Sequence, residues 1–530
     1  MKQEQGKSIS EKKRSILVQG GTQKSLLTLL KEKNEYLDAP CNGNGSCGKC
    51  KVQLTENLTE PTEQEMRLLT KEELAGGVRL ACQTRLMQDS IVLLPENIDE
   101  MIVESTATVP DVSGQFSTDM QQGKATQAAP NAQLCKNDLG IAIDLGTTTI
   151  AAVLVELSTG KELAAATGIN HQRAYGADVI SRIKASVEGS GRKLQQIVQT
   201  DLLQIINELL LDVKAEKKQL KRMVIAANTT MCHLLSGYPC DTLGKAPFTP
   251  VDIRLQKRSS REVFETEEFQ AEVTILPGIS TFIGADITAG IFTCGMQEKE
   301  EYSLFLDIGT NGEMAVGNKH GLFVTSTAAG PAFEGGNLSC GMASVPGAVD
   351  KVEICFPYTK VHTLKEKAAL GICGTGVIET VYELKRNRII DANGTFAEQF
   401  IEEGYPLVKG RISFSQQDVR EFQMAKAAVR AGMERLLTWS QIPKEALTNI
   451  YLAGSFGCHI PVKKAIGIGL LPAELERRIQ TVGNTALEGA KKYLLCEQQE
   501  QLEQIISIAK ELVLAADCEF QEDFLAYMNF

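Results

Sequence analysis

Short apolar runs broken by glycine turns set most of the elements that this chain predicts. Ser15-Ile-Leu-Val-Gln and Lys51-Val-Gln-Leu alternate with the period of half-buried strands, and Ser25 to Lys31 carries the spacing of a short helix. Three further runs each end in a glycine turn: Ile141-Ala-Ile-Asp144-Leu-Gly146-Thr147-Thr148-Thr149-Ile150, Leu304-Phe-Leu-Asp307-Ile-Gly309-Thr310-Asn311-Gly312-Glu313 and Ile450-Tyr-Leu-Ala-Gly454-Ser455-Phe456-Gly457. The first two read as strand, tight turn, strand, one motif used twice. Helical patterns over Lys193 to Leu220 and Leu502 to Ala516 predict helices that cover a sheet. Between Glu104 and Asp138 the composition shifts to Ser, Thr, Gln, Ala, Gly and Pro, which predicts a flexible linker at 104–138 with its ends roughly 30–36 Å apart.

Composition narrows the class. With 530 residues, 43% hydrophobic and 23% charged, the chain reads as an ordinary multidomain globular protein. A formal charge of −11 without a dense Lys/Arg stripe argues against nucleic acid or an anionic membrane as partner, and Lys12-Lys13-Arg14 is too small to change that. No apolar run reaches a membrane-spanning length, and Met1-Lys-Gln-Glu-Gln lacks the apolar core of a signal peptide, so a cytoplasmic protein is expected. Of its 14 cysteines, Cys232, Cys240, Cys294, Cys340, Cys355, Cys373, Cys458, Cys496 and Cys518 read as buried thiols and Cys135 as exposed.

The other four carry chemistry. Cys41-Asn-Gly-Asn-Gly-Ser-Cys47-Gly-Lys-Cys50, followed by Cys82, places three thiols on one short loop and a fourth at a distance, which suits the four thiolates of a [2Fe–2S] cluster. Gly43, Gly45 and Gly48 let the loop wrap and aim N–H groups at sulfur. Structural zinc is the alternative, with Cys47 and Cys50 as the one close pair that such sites use. This stretch resembles the β-grasp ferredoxins over about the first hundred residues, with the five-residue first spacing of the adrenodoxin-like branch. The resemblance extends through Arg79-Leu-Ala-Cys82-Gln-Thr-Arg85-Leu and the strand near Ile91-Val-Leu-Leu.

The glycine turns suit a phosphate chain. Bare backbone at Gly146 and Gly309 makes an anion-binding nest, Thr147, Thr148 and Thr310 add hydroxyl donors, and Asp144 and Asp307 at the strand ends hold Mg²⁺ directly or through water. Gly454 and Gly457 leave backbone on which a base and ribose can lie. The three turns resemble the phosphate-one, phosphate-two and adenosine motifs of the acetate and sugar kinase, heat-shock cognate and actin superfamily. That resemblance implies two ribonuclease-H-like lobes, at 139–300 and 301–530, with Mg-ATP in the cleft, and puts Asn311 and Ser455 beside the nucleotide. Asp286 and Glu334 are candidates for orienting the attacking water; Asp286 reads equally well as a helix cap. His233 and His459 read as core or cleft histidines.

Ala227-Asn228-Thr229-Thr230-Met231-Cys-His233-Leu-Leu, Gly284-Ala-Asp286-Ile, Ala328-Ala-Gly330-Pro331-Ala-Phe-Glu334-Gly335-Gly336 and Gly371-Ile-Cys-Gly374-Thr-Gly376 complete the pattern. With the amino-terminal stretch at 1–103, they resemble the reductive activators of corrinoid-dependent enzymes. The resemblance implies a multidomain α+β and α/β chain: a β-grasp ferredoxin, a flexible linker and an actin-like ATPase. It further implies that ATP returns the Co(II) corrinoid protein of a methyltransferase or demethylase system to Co(I), with an upstream electron donor; a homodimer is compatible. Larger members carry a further domain where this chain has only the linker. Other readings are an electron activator of a dehydratase or ring reductase, a nucleotide-gated iron–sulfur sensing module and a small-molecule kinase, which would give the ferredoxin no task.

Overall fold

The computed structural model describes residues 14–33, 35, 37, 39, 43, 45, 48–94, 138–457 and 459–530. The linker expected at 104–138 lies outside them except for Asp138, as do Cys41, Cys47, Cys135 and Cys458. The chain forms two compact units. One comprises residues up to 101 together with His171–Ala185; the other comprises Ile102–Asn170 and Ser186–Phe530.

In the first unit, β1 (Arg14–Val18), β2 (Lys51–Leu54), β3 (Val78–Leu80) and β4 (Ser90–Leu94) form one sheet in the order β1-β4-β2-β3, each neighbour antiparallel. Helix α1 (Leu26–Glu32) begins where the Ser25 side chain accepts the Thr28 N–H, and it buries Leu26, Leu27, Leu29 and Leu30. Those leucines share a core with Val18, Val52, Leu80, Val92 and Leu94, the inward alternation of the strands. A helix packed across such a sheet is the β-grasp arrangement. Residues 171–185, in sequence between strands of the second unit, group with this first unit; there the buried Arg182 donates to the Gly176 carbonyl and to Gln172.

The second unit holds two six-stranded sheets. The first comprises β5 (Leu139–Leu145), β6 (Thr149–Glu156), β7 (Glu162–Ile169), β8 (Leu220–Ala227), β9 (Gln256–Ser259) and β10 (Glu272–Ile275), in the order β7-β6-β5-β8-β10-β9. Strands β11 (Tyr302–Ile308), β12 (Gly312–Asn318) and β13 (Gly321–Thr327) open the second. A three-stranded insertion follows, β14 (Ala348–Cys355), β15 (Tyr358–Thr363) and β16 (Gly371–Ile372), and then a hairpin, β17 (Tyr405–Val408) with β18 (Ile412–Phe414). Strands β19 (Leu447–Ala453), β20 (Ile479–Gly483) and β21 (Ala509–Glu511) complete the order β20-β19-β11-β12-β13-β21. Each sheet is an antiparallel three-strand meander whose first strand has two parallel neighbours beyond it, the ribonuclease-H-like arrangement. Central strands β5 and β11 are nearly continuous apolar runs, as strands covered on both faces must be.

Helix α2 (Gly191–Asp212) is shorter than its pattern: after Leu210 the buried stripe stops, Lys214 turns left-handed, and Leu220 is drawn into β8 between β5 and β10. Likewise, the segment expected to be helical over Leu502 to Ala516 is α-helical only as far as Ile508 and ends in a 3₁₀ turn at Leu514–Ala516, because Ala509–Glu511 pairs with β13. Cys232, Cys240, Cys294 and Cys373 are buried as expected, but Cys355, Cys496 and Cys518 are exposed, the first at the end of β14 and the others at a helix end and a helix start.

Helices α3 (Ala285–Cys294) and α4 (Gln416–Ser440) precede the crossing that matters most. Helix α5 (Thr485–Cys496) follows all but the last, edge strand of the second sheet in sequence yet lies against α3 and against β5 and β8 of the first sheet. The approach is close because glycines face it: a Cβ on Gly489 would stand 2.4 Å from the Ala289 carbonyl oxygen, and one on Gly290 3.0 Å from Thr485 Oγ1 as well as 2.4 Å from the Phe305 ring of β11. Gly489→Val should therefore force the helices apart and cost about 1–3 kcal/mol, read as a lowered midpoint in urea unfolding.

Candidate active site

Both sheets end their central strand with a carboxylate. Asp144 is next to last in β5 and Asp307 next to last in β11, the one position near each carboxyl end that is not fully buried. The turn after β5 closes through the Gly146 N–H to the Thr149 carbonyl at 3.0 Å. Neighbouring amides hold that turn in place. Asn228, at the end of β8, donates to Thr147 Oγ1 at 3.0 Å; Asn170, just after β7, donates through its side chain to the Gly146 carbonyl at 2.9 Å and through its N–H to the Thr148 carbonyl at 3.0 Å. The turn after β11 closes through the Gly309 N–H to the Asn311 carbonyl at 2.9 Å, and Thr310 donates from both its N–H and its hydroxyl to Glu334, at 3.1 and 3.0 Å.

The third turn joins the second directly. Gly454, after β19, adopts φ +88°, and a Cβ there would lie 2.4 Å from Asp307 Oδ1, so only glycine lets this backbone meet that carboxylate. Gly457 closes the same turn. Asn484, the residue that starts α5, donates to Asp144 Oδ2 at 2.7 Å from 340 residues away. Asp286 is the second residue of α3, whose cap is Gly284 rather than Asp286, and its Oδ1 accepts the Ile287 N–H at 2.9 Å.

Electrostatics group five carboxylates here. Burial pushes Asp144 up to about 7, with the Asn484 amide working against the rise and the Asp286 charge adding to it. Burial, then the charges of Asp286, Asp144 and Glu334, push Asp307 up to about 7. Burial pushes Asp286 up to about 6. Glu313, which sits across the β11–β12 ladder from Asp307, is raised well above its usual range by burial and by the Asp286 and Asp307 charges, with Asn311 opposing. Burial of its carboxylate raises Glu334 too, against its two bonds from Thr310, although the residue as a whole keeps solvent-accessible surface. Glu313 was not among the expected site residues, nor were Asn170, Asn228 and Asn484; the register of the hairpin could have flagged Glu313, whereas the asparagines arrive through tertiary structure.

Both histidines stand apart. His233 is a core residue, its Nδ1 bonded to the Thr229 carbonyl at 2.8 Å and its Nε2 accepting the Val251 N–H at 2.9 Å, while His459 is exposed. Beside Asp286, the Cys232 thiol is pushed up to about 12 by burial and that charge, which leaves it protonated.

In the first unit, Cys50 and Cys82 come together. Hydrogen bonding with Cys50 leads the effects that bring Cys82 down to about 6, helped by Gln83 and by the backbone N–H of Gly45. Gly43, Gly45 and Gly48 all adopt positive φ, the tight wrapping expected of them.

Residues 301–530 match the family described as the C-terminal domain of RACo, the ASKHA domain; residues 139–299 match the RACo middle region, and residues 9–87 a 2Fe-2S iron–sulfur cluster binding domain. A solved structure of a reductive activator for a corrinoid, iron–sulfur protein aligns over 96% of this chain and 95% of its own, with a TM-score of 0.67 and 28% identity. The chain belongs to the reductive activators of corrinoid proteins. In that family, the corrinoid activation enzyme RamQ of Eubacterium limosum is 28% identical over 93% of this chain and 94% of its own length. A Co(II) methylated amine-specific corrinoid protein reductase of Methanosarcina barkeri is 26% identical over 74% and 77%.

The matched domains carry a [2Fe–2S] cluster and Mg-ATP, and the described residues fit both. Two adjacent thiols, one readily ionised beside a backbone donor, suit a cluster. No three Asp, Glu, His or Cys side chains among the described residues converge to grip a bare ion. Buried carboxylates set beside the two glycine turns suit Mg²⁺ instead, because it keeps several waters and takes phosphate oxygens. Among the described residues, no helix is long and apolar enough to cross a membrane.

Asp307 rises from an ordinary 3.8 to about 7, so the folded protein holds this proton more tightly than the unfolded chain. The stability gained by protonation is complete below about pH 4 and is lost as pH rises through about 7. Without divalent cations, Asp307→Asn should be the more stable form at pH 8, by on the order of 1–3 kcal/mol, with the gap narrowing towards pH 5.5. Urea unfolding in chelator at both pH values measures this.

Proposed function

We propose that this chain is an ATP-dependent reductive activator that returns an inactive Co(II) corrinoid protein of a methyltransferase or demethylase system to Co(I). The observation that carries the reading is the fusion of a cluster-type thiol loop with a carboxylate-lined pair of phosphate turns. A bound [2Fe–2S] cluster would supply one electron at low potential, held by Cys41, Cys47, Cys50 and Cys82 and refilled by an upstream cytoplasmic donor. Each ~59 mV of uphill one-electron transfer costs about 1.4 kcal/mol, so a gap of a few such steps needs an energy source beyond the donor. ATP binding and hydrolysis provide it.

Each lobe contributes a defined part. Gly146, Thr147 and Thr148 from one hairpin, and Gly309, Thr310 and Asn311 from the other, direct N–H and hydroxyl donors at the phosphates. Asp144 and Asp307 hold the hydrated Mg²⁺, with Asn484 fixing the rotamer of Asp144. Gly454, Ser455 and Gly457 receive the adenosine. Asp286, largely ionised at pH 7 with a pKa of about 6, would orient the attacking water. Closure of the two lobes on nucleotide, rather than phosphorylation of a metabolite, then favours the complex in which the cobalt is reduced. The working division is 1–103, 104–138, 139–300 and 301–530.

Asp144→Ala should keep the visible cluster spectrum and lose at least tenfold in the ATP-dependent appearance of the Co(I) band. The measurement is anaerobic absorbance of a corrinoid methyl-transfer protein mixed with this protein, a reductant and Mg-ATP. Equal reduction by the variant, or a Co(I) band that needs no ATP, would overturn the coupling.

A further inference from the structure

The second phosphate turn already holds an anion, one that belongs to the chain. Both Thr310 donors, the N–H and the hydroxyl, end on the two oxygens of Glu334, at 3.1 and 3.0 Å. The carboxylate comes close to the turn's backbone: a Cβ built on Gly309 would stand 3.3 Å from Glu334 Oε1. A carboxylate bridging backbone and hydroxyl donors in this way uses the turn's phosphate-binding capacity.

The backbone beneath Glu334 is anchored by packing, whereas its carboxylate is held through Thr310. Phe333 is buried, stacks on Phe456 at 5.2 Å between ring centroids and meets Phe422 edge-on at 5.7 Å. The Gly335 N–H bonds the Ala332 carbonyl and the Gly336 N–H the Pro331 carbonyl, which fixes the short turn Pro331–Glu334. Glu334 itself is exposed, so the carboxylate has room to leave without unfolding the segment that carries it. Phe456 lies in the third glycine turn, so the residue next to Glu334 touches the adenosine side of the site.

We propose that Glu334 is a terminal-phosphate sensor: its carboxylate stands where the last phosphate of ATP binds at the Thr310 turn, and ATP, but not ADP, displaces it. The inference rests on the Mg-ATP reading above. Two anions cannot share the Thr310 donors, so binding of the longer nucleotide releases Glu334 toward solvent, a change coupled through Phe333 to the Phe456 turn. A residue that orients the attacking water would leave equilibrium nucleotide affinity unchanged; a displaced competitor lowers the affinity for ATP selectively.

The test is isothermal titration of the full chain, cluster assembled, with a non-hydrolysable ATP analogue and with ADP, for the parent, Glu334→Ala and Glu334→Gln. Removing the competitor should tighten the analogue about three- to tenfold relative to ADP, with the glutamine variant intermediate because its amide still accepts from Thr310. An unchanged or lowered analogue-to-ADP affinity ratio in both variants, with melting temperature and cluster spectrum as in the parent, would overturn the sensor and leave the ATP site standing. Failure of the parent to bind either nucleotide would overturn both.

Discussion

Like charge held in a small space is the constraint on which the ATPase unit depends. Burial raises the proton affinity of Asp144, Asp286, Asp307, Glu313 and Glu334, neighbouring carboxylate charge adds to it at Asp144, Asp307 and Glu313, and the described groups that act on them include no Lys or Arg. The donors that do reach them are neutral: the Asn484 amide on Asp144, the Asn311 side chain on Glu313 and Thr310 on Glu334. Neutral donors orient a carboxylate without cancelling its charge. A lysine at any of these places would satisfy the site permanently and remove its demand for a hydrated cation carrying phosphate. The fold thus keeps the site electrostatically unfinished, which costs native stability and is a common trade at functional sites.

The ferredoxin unit solves the opposite problem. A cluster needs negative sulfur close to a fold that is otherwise small, and the described residues beside Cys82 meet this with Gln83, the Gly45 backbone and positive-φ glycines. Leu26, Leu27 and Leu30 of the capped helix put the apolar floor next to Cys50 and Cys82, so the same short core that stabilises the sheet also excludes water from the thiols. In both units the functional atoms sit where a strand or loop ends.

Much of this was legible in the sequence because it is local. A glycine turn after an apolar run, or three cysteines in ten residues, carries its geometry with it, and β5, β6, β11, β12 and β19 lie where the apolar runs predict them. Helix ends were misread where tertiary pairing wins over helical spacing, as at Leu220 and Ala509. Asn170, Asn228 and Asn484 were invisible for another reason. Each looks like an ordinary cap or turn residue, and two of them do cap helices; only the fold shows that their side-chain amides also face a phosphate turn or a site carboxylate. Glu313 stood in plain view within a quoted motif, but its role depends on being the cross-ladder partner of Asp307.

The return of α5 to the first sheet has a consequence for how the ATPase can be divided. Sequence suggests a cut near residue 300, with one sheet on either side. The helix that covers β5 and β8, and the asparagine that grips Asp144, are encoded near residue 484, beyond five of the second sheet's six strands. Expressed as two separate polypeptides, the amino-terminal lobe would expose an apolar sheet face and the carboxyl-terminal lobe an orphaned helix. The pair would behave as complementing fragments, each insoluble or molten until the other supplied its missing layer.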